Sequence, residues 1–534
     1  MNRRMIAAYA ISIGLLAGTM FRVYYVSQGD FLAEAALRQS SYSLVVAEVR
    51  GSIYDCNMQP LVNAEKRLVG AVLPTPESAA ALLEVVPNES REALMTMLEG
   101  GKPFLFPLET DEIYANGVDI FEVPVRYAQQ QTAVHVLGYV QDDGRQGVAG
   151  IEKAYDELLG SSGNRFGLRY NIDAAGHFFA GESPQPIGSY GSAPGGVVLT
   201  LDSRIQAAAE EAVKTHGMEK GAVVVMDIYT GDIKAMVSMP LYDPNNVAAQ
   251  LEDPDGPFLN RTLHSYNVGS SFKLAVAAAA LQQGISPSKS YTCTGEVQVG
   301  DQTFRCNRAG GHGTIDMQEA VKHSCNAYFI YLARDVGAGA VHSIASQMGF
   351  GTAAQLAPEL KSQSGNLTDL SLLSGGELAN FAFGQGMLTA TPIQIAQMVS
   401  TIANGGMSVT PRLVEGVTKD GLALSESTPV YAQNQVLRKR TSDYLHQFMV
   451  ATVESGSGTN ATPRQGGAGG KTASAQTGQM VDGKEIVHAW FAGFYPAQAP
   501  RYSIVVLVEG GDSGGRASAP IFKDIADAIG ALKP

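Results

Sequence analysis

The sequence predicts a mixed α/β fold for its C-terminal part, preceded by a smaller strand-rich part and an N-terminal apolar helix. Three observations carry this. Strand-like runs stand at both ends of residues 196–534 with Ala-rich helical runs between them, an order that suits one α/β domain whose sheet joins N- and C-terminal strands. The stretch "GSYGSAPGG", Gly188 to Gly196, concentrates turn-forming residues and marks a domain boundary. "MIAAYAISIGLLAGTMF", Met5 to Phe21, is 17 residues without a charge, the short end of what spans a bilayer.

In chain order, Arg3 and Arg4 precede the apolar run and favour an N-terminus inside and a bulk outside. Arg22 is followed by "VYYV", which extends the span and seats two tyrosines at the interface. The alternative is a cleaved signal peptide, but "GTMFRVYY" offers no small-x-small cleavage site. The expected division is a tail at 1–4, a membrane span at 5–26, an N-terminal domain at 27–195 and a second domain at 196–534. Arg38 to Val62 alternates polar and apolar residues and reads as extended strands; Pro74 to about Gly101 reads as helix, and 102–195 is mixed. "VVLTLDSRIQAAAEEAVKTHG" is a strand, then Asp202 or Ser203 as a cap, then a helix. "GAVVVMDIYTGDIKAMVSM" is a hairpin with "YTGD" at its turn. Ala-rich helices follow from 270 to 405. "GGKTASAQTG", "HAWFAGFYP" and "RYSIVVLVEGG" return to strands, and "APIFKDIADAIGAL" is a closing helix.

Hydrophobic content of 45% and charged content of 17% suit a folded chain with a large core. The net charge of −13 argues against a nucleic-acid partner, which needs basic patches. The four cysteines, Cys56, Cys293, Cys306 and Cys325, contain no C-x-x-C pair, which argues against a zinc ribbon or a thioredoxin-type site. Cys293 and Cys306 bracket "TGEVQVGDQTFR", a hairpin with its turn near Gly300-Asp301. They form a disulfide across it in an oxidising compartment, or remain two free thiols.

The chemistry begins at "VGSSFKLAVAAAALQQG", Val268 to Gly284. A lysine in so apolar a helix is costly unless something compensates. Lys273 lies three residues after Ser270, on the same helical face. Ser270 falls at the helix N-terminus, where unpaired N–H groups favour negative charge. A serine hydroxyl is a weak nucleophile without a base, and a desolvated lysine titrates low enough to be that base. The bland reading is a capping Ser270 with Lys273 snorkelling to the surface. "KHSCNAYFIYLA" adds Ser324 and Asn326 before another buried helix, groups that can relay a proton and bind an amide. "GGKTASAQTG" adds Lys471 and Thr472 at the start of a strand, a cation and a hydroxyl suited to a substrate carboxylate, on an edge that can pair with an extended peptide.

S-x-x-K with S-D-N and K-T-G is the signature of penicillin-binding proteins and class A β-lactamases, and the three segments here stand in that order, with Cys325 in the middle of the second and Ala473 at the end of the third. The chain resembles class B penicillin-binding proteins, single-pass D,D-transpeptidases of division, elongation or sporulation. "RGSIYDCNMQPL" (Arg50–Leu61) looks like that family's "RGxIxDRNGxxLA"; "HVLGYV" with "GVAGIEKAYDELLGSSG" (His135–Gly163), "FAFGQGMLTATPIQIAQMVSTIANGG" (Phe381–Gly406) and "HAWFAGFYP" (His488–Pro496) resemble further family segments. The resemblance implies a serine transpeptidase/β-lactamase-like domain with a central antiparallel sheet flanked by helices, on an extended β-rich pedestal. It implies Ser270 as acylated nucleophile and Lys273 as its base. Ser324 and Asn326 would serve proton transfer and substrate binding, and Lys471 and Thr472 would hold the donor carboxylate. The N–H groups of Ser270 and Ser474 would form the oxyanion hole, a device in which each donor contributes roughly 3–4 kcal/mol. It implies no metal and no organic cofactor. Implied partners are peptidoglycan stem peptides on lipid-linked nascent glycan, β-lactams as inhibitors, the membrane, and a polytopic glycosyltransferase.

The chain departs from the family in two places, and a third position is one the family varies. Ala473 stands where glycine is usual, so a methyl crowds the strand or the substrate. Cys56 and Met58 replace Arg and Gly, and loss of the glycine suggests a different turn. Cys325 fills the variable middle of the second motif, as a reactive thiol or a packed small residue. "GGAGGKT" imitates a phosphate-binding loop, but its first glycine would fall on Gln465 and a strand follows. "ESGSGTN", Glu454 to Asn460, reads as a flexible loop near the site, and His264, His323 and His488 as structural. Two other functions use the same residues: a D,D-carboxypeptidase or β-lactamase, for which the pedestal has no evident use, and a scaffold weakened through Ala473.

Overall fold

The apolar N-terminal run forms a 25-residue helix, Arg3–Ser27, with no buried residue, long and apolar enough to cross a membrane. The computed structural model describes residues 3–27, 40–141, 144–173, 175–179, 181–190, 194–431, 433–481 and 483–532. Part of the Gly188–Gly196 linker, and Arg38 and Gln39 of the first expected strand region, lie outside these.

The chain forms two compact units, each discontinuous in sequence: Met1–Val49, Glu65–Arg126 and Asn164–Ser192 make one; Arg50–Ala64, Tyr127–Gly163 and Ala193–Pro534 make the other. The smaller unit has two three-stranded antiparallel sheets. Ser41–Val49, Asn164–Asn171 and Gln185–Gly188 form one; Phe104–Leu108, Lys66–Val72 and Val118–Pro124 form the other. Helix Pro76–Val85 starts at a Thr75–Ser78 capping box and helix Arg91–Glu99 follows. Leu82 and Leu94 from these helices pack on Val72 and Phe106.

In the larger unit, Ser52–Tyr54 runs parallel to Gly196–Leu199, which ties the segment after Arg50 to the C-terminal part. Arg50 pairs with the buried Glu152 at 3.0 Å and with Asp156 at 2.6 Å. One Asp55 oxygen accepts from the Asn57 and Gln59 N–H groups, and the other from the Ser203 N–H and hydroxyl. Held this way, Met58 takes φ 59°. The turn is left-handed despite the lost glycine, because the Asp55 bonds fix its backbone.

The elements that position the site are α1 (Ser203–Thr215), β1 (Gly221–Asp227), β2 (Ile233–Met239), α2 (Lys273–Gln282), β3 (Tyr291–Cys293), β4 (Glu296–Val299), β5 (Gln302–Arg305), β6 (Gly313–Ile315), α3 (Asn326–Val336), α4 (Pro392–Ala403), α5 (Lys439–Ser455), β7 (Gly469–Val481), β8 (Lys484–Tyr495), β9 (Tyr502–Val508) and α6 (Ala519–Ala531). Asp202 caps α1 by accepting from the Arg204 N–H. The main sheet has the order β2-β1-β9-β8-β7 and is antiparallel throughout. It joins N- and C-terminal strands, as the sequence predicts.

Side-chain alternation sorts the strands' residues between two layers. Val223, Val225, Ile504 and Val506 meet Ile205, Ala209 and Val213 of α1 and Ile521, Phe522 and Ile525 of α6. Ala222, Val224, Met226, Val505 and Leu507 face the opposite way, toward α2, α3 and α4. Every residue of α2 from Lys273 to Leu281 is buried there. A helix apolar all round belongs in a core, so the side chain of Lys273 has no route to water along its own helix.

The predicted hairpin is present, with Val299 opposite Gln302 and Gly300 at φ 63°. The disulfide considered for it is not. Cys293 ends β3, which pairs with β6 rather than with the hairpin, and all four cysteines are free thiols.

Candidate active site

Ser270 sits in a single 3₁₀ turn, Gly269–Phe272, that leads into α2. The Lys273 N–H reaches back to the Ser270 and Ser271 carbonyls, so serine and lysine are bound into one turn. The turn is wedged between two other chain segments. Gly269 has φ 59° and donates to the Gly384 carbonyl at 2.9 Å. A Cβ on Gly384 would lie 1.9 Å from the Gly269 oxygen, and one on Gly269 would lie 3.1 Å from the Ala475 Cβ. Glycine at both positions lets "FGQG" and β7 close on the serine turn. Ser270 itself is half-exposed.

Lys273 is fully buried, so it does not snorkel. Its Nζ donates to the Ser324 carbonyl at 2.8 Å, the Ser324 Oγ at 3.1 Å and the Asn326 Oδ1 at 2.6 Å, and lies 5.8 Å from the Phe329 ring centre. Among the described residues no carboxylate pairs with it; its polar neighbours are a carbonyl, a hydroxyl and an amide. Burial pulls the amine down to about 7, with the Cys325 and Cys306 thiols opposing the shift. Ser324 has φ 57°, a left-handed backbone that a serine holds only when its surroundings impose it. Cys325 then caps α3, its Sγ accepting from the Tyr328 N–H at 3.5 Å, and Asn326 opens the helix.

The third group stands on β7, the edge strand of the main sheet. Lys471 is also fully buried, its Nζ donating to the Thr472 carbonyl at 2.8 Å. Burial, and then the charge of Lys273, hold its amine well below an ordinary lysine. Two amines in one apolar site, without an acid partner for either among the described residues, feel each other. The Thr472 hydroxyl shares a 2.7 Å hydrogen bond with Ser457, whose N–H donates to the Lys322 carbonyl at 3.1 Å. Ala473 is buried opposite Trp490, and Ser474 is exposed. A Cβ on Gly514 would come 2.6 Å from the Ala473 oxygen, so the turn at Gly514–Ser518 presses on the third group from behind.

Ser270, Lys273, Ser324, Asn326, Lys471 and Thr472 therefore gather around one end of α2. Sequence reasoning missed Ser457: the Gly-rich loop that carries it gave no signal beyond its place near the site. The three histidines stand apart from this chemistry. His264 contacts Gln363 and His323 contacts Glu319. His488 lies edge-on to Tyr266, with its buried Nδ1 lacking a partner among the described residues. The "GGAGGKT" stretch enters a strand, not a helix, so it is no phosphate loop.

Residues 221–527 match the penicillin binding protein transpeptidase domain family. The chain belongs to this family. It is 31% identical over 451 residues to the peptidoglycan D,D-transpeptidase PbpA of Mycolicibacterium smegmatis, spanning 79% of this chain and 86% of that protein. It is 29% identical to stage V sporulation protein D of Bacillus subtilis, over 97% of this chain and 83% of that one. A solved structure described as the structural coordination of polymerization and crosslinking by a peptidoglycan synthase complex superposes with a TM-score of 0.70 at 25% identity, covering 99% of each chain.

Proposed function

We propose that Ser270, Lys273, Ser324, Asn326, Lys471 and Thr472 carry out peptidoglycan D,D-transpeptidation in a catalytic domain spanning 196–534. The chain is a class B penicillin-binding protein and a serine D,D-transpeptidase; the proposal concerns which side chain does what. The observation that carries it is the wholly buried Lys273, without an acid partner among the described residues, one turn after Ser270 and bonded to Ser324 and Asn326.

The neutral Lys273 amine takes the Ser270 proton as Oγ attacks the carbonyl between two terminal D-Ala residues of a stem peptide. The oxyanion is received by the N–H groups of Ser270 and Ser474. Ser324, bonded to the lysine amine, relays the proton to the departing D-Ala nitrogen. An amine of a neighbouring stem peptide then attacks the acyl-enzyme and forms the crosslink. Lys471 and Thr472 hold the donor carboxylate, and Ser457 orients the Thr472 hydroxyl. Asn326 binds the donor's amide. β-Lactams acylate Ser270 as mimics of D-Ala-D-Ala.

The N-terminal helix is the candidate membrane anchor, with Arg3 and Arg4 favouring a cytoplasmic N-terminus and an extracytoplasmic site. The partner that supplies glycan strands is a polytopic glycosyltransferase, a reading supported by the likeness to a chain of a synthase complex.

Acylation by a fluorescent penicillin, read by gel and intact mass with Ser270→Ala alongside, tests the assignment. A stable adduct on the native chain that Ser270→Ala lacks is expected. Rapid loss of the adduct would favour a hydrolase, and no adduct at any concentration a scaffold.

A further inference from the structure

The smaller unit holds a polar cavity that the reaction does not use. It measures about 390 Å³ and lies between the start of helix Pro76–Val85, the edge strand Val118–Pro124 and the end of strand Asn164–Asn171. Glu77, Asp119 and Glu182 line it, and among the described residues no lysine, arginine or histidine does. Glu77 and Glu182 are exposed and Asp119 is half-buried, so the carboxylates run from the rim inward. Glu182 accepts from the Asn171 amide at 2.9 Å. Asp119 has no partner among the described residues; burial alone acts on its carboxyl and raises it above the ordinary aspartate range. Tyr170 completes the inner wall. It is 4% exposed, and its hydroxyl has no hydrogen-bond partner among the described residues. The charge of Asp119 adds to burial in raising that hydroxyl, so the two groups feel each other across the cavity.

We propose that this cavity binds a ligand carrying a protonated alkylamine, held by Asp119 and Tyr170 within and by Glu77 and Glu182 at the rim. The wall is rich in acceptors. Ionised carboxylates only accept, and a tyrosine oxygen accepts as well as donates. A positive group with several N–H donors is their complement. A buried polar group without a partner costs free energy, and an unpaired carboxylate drawn out of water costs more. Water alone would satisfy the Tyr170 hydroxyl, but it would leave three like charges around one cavity unbalanced. An ammonium group answers both needs. Among the described residues the three carboxylates do not gather into a metal-ligating group, so an extended organic cation suits the wall better than a bare ion. The volume admits a chain of several carbons, which lets one ammonium meet Asp119 while the rest of the ligand meets the rim. Two sources supply this chemistry: a free diamine, or a lysine side chain of another polypeptide. No residue of the catalytic group lines the cavity, so the site is separate from the one that acylates.

The test uses the full-length chain in detergent and two probes, cadaverine and Nα-acetyl-lysine methylamide, titrated by calorimetry. At least one probe should bind at a single site per chain, and pentanediol, which has cadaverine's length without its charge, should not. Asp119→Asn should weaken binding about tenfold, the scale of one hydrogen bond to a charged group. Tyr170→Phe removes the unpaired hydroxyl, so the free chain should keep or raise its Tm while its affinity for the probe falls. Glu112→Gln removes an exposed charge of the same unit from outside the cavity and should bind as the native chain does. Tighter binding of cadaverine assigns the site to a free amine, and tighter binding of the lysine derivative to a polypeptide side chain. No heat from either probe at millimolar concentration would overturn the proposal. So would binding that Asp119→Asn leaves unchanged, or that Glu112→Gln weakens equally, since either marks general attraction to an acidic surface. Penicillin acylation at the native rate shows that a variant has folded, and the comparison with the diol on the native chain decides the main point even where a variant has not.

Discussion

The site has two walls built by different physics. The Lys471 wall is a backbone ladder: β7 pairs with β8 from Gly469 onward, β8 with β9, and β9 with β1, each over many residues and across a core of Trp490, Phe491 and Phe494. The Ser324 wall hangs on strands of three and four residues and on side-chain contacts: Asn326 to the Arg305 carbonyl, Asn307 to the His323 carbonyl, and Cys306 to the His312 ring and the Cys325 thiol. The first wall resists displacement because many registered hydrogen bonds would have to slip together. The second holds its geometry against local strain, as the φ of 57° at Ser324 shows. Lys273 lies between them, hydrogen-bonded to one and electrostatically coupled to the other.

Removing that bridge has the largest effect. Lys273→Ala should lower penicillin acylation by roughly 10³-fold, the scale of a lost general base. The native chain's pH profile sharpens the point. The amine is pulled down to about 7 by burial, so the reactive neutral form is present above that value and lost below it. Acylation should climb through pH 7 and flatten above. A rate still climbing toward pH 10 would mean an exposed lysine and a different base.

Gly514→Ala loads the ladder wall. Its Cβ would lie 2.0 Å from the Trp490 oxygen and 2.6 Å from that of Ala473, both backbone atoms that cannot swing away. Overpacking of this kind costs about 1–3 kcal/mol, read as a fall in Tm. Acylation should fall with it, since the strand that must move carries Lys471 and Thr472. A tolerated alanine would show that this wall yields more readily than its ladders suggest.

Ser324 probes the other wall through a pair of variants. Ser324→Ala and Ser324→Gly both lose the hydroxyl bonded to Lys273, so both should acylate slowly. They differ in backbone. Alanine must hold the left-handed conformation at a cost of about 1–2 kcal/mol, and glycine need not. The glycine variant should therefore be the more stable of the two in thermal unfolding. Equal stability would mean that Ser324 carries no strain.

Much of this contrast was legible in the sequence and part was not. The ladder wall was, because alternation and length mark β1, β8 and β9 as strands; the Ala-rich α2 left two readings of its lysine, buried base or snorkelling side chain, and its full burial decides for the first. Ser270, Lys273, Ser324, Asn326, Lys471 and Thr472 stood out by spacing, and the structure brings them together. Ser457 did not, because its role depends on a loop folding back onto Thr472. The contacts of His312 with Cys293 and Cys306 did not either, because only the pairing of β3 with β6 brings His312 beside Cys293. The interleaved units were equally hidden. Nothing in the composition of 50–64 shows that Ser52–Tyr54 pairs with a strand beginning at Gly196.

The smallest effect is expected at the family departure itself. Ala473 is 2% exposed and stands opposite Trp490 in the ladder, so its methyl is core surface rather than a projection into the site. Alternation sends Lys471, Ala473 and Ala475 to one face of β7 and Thr472 and Ser474 to the other. Thr472 and Ser474, proposed to meet the donor carboxylate and the oxyanion, are therefore not on the methyl's side, while Lys471, which shares the methyl's face, is fully buried with it. Ala473→Gly should remove a little buried apolar area and add backbone freedom in the unfolded chain, for a loss of about 0.5–1 kcal/mol in stability. Its acylation rate should match that of the native chain. A large gain in acylation on introducing the glycine would instead mean that the methyl does hold the strand away from the serine turn, and that the ladder wall is the weaker of the two.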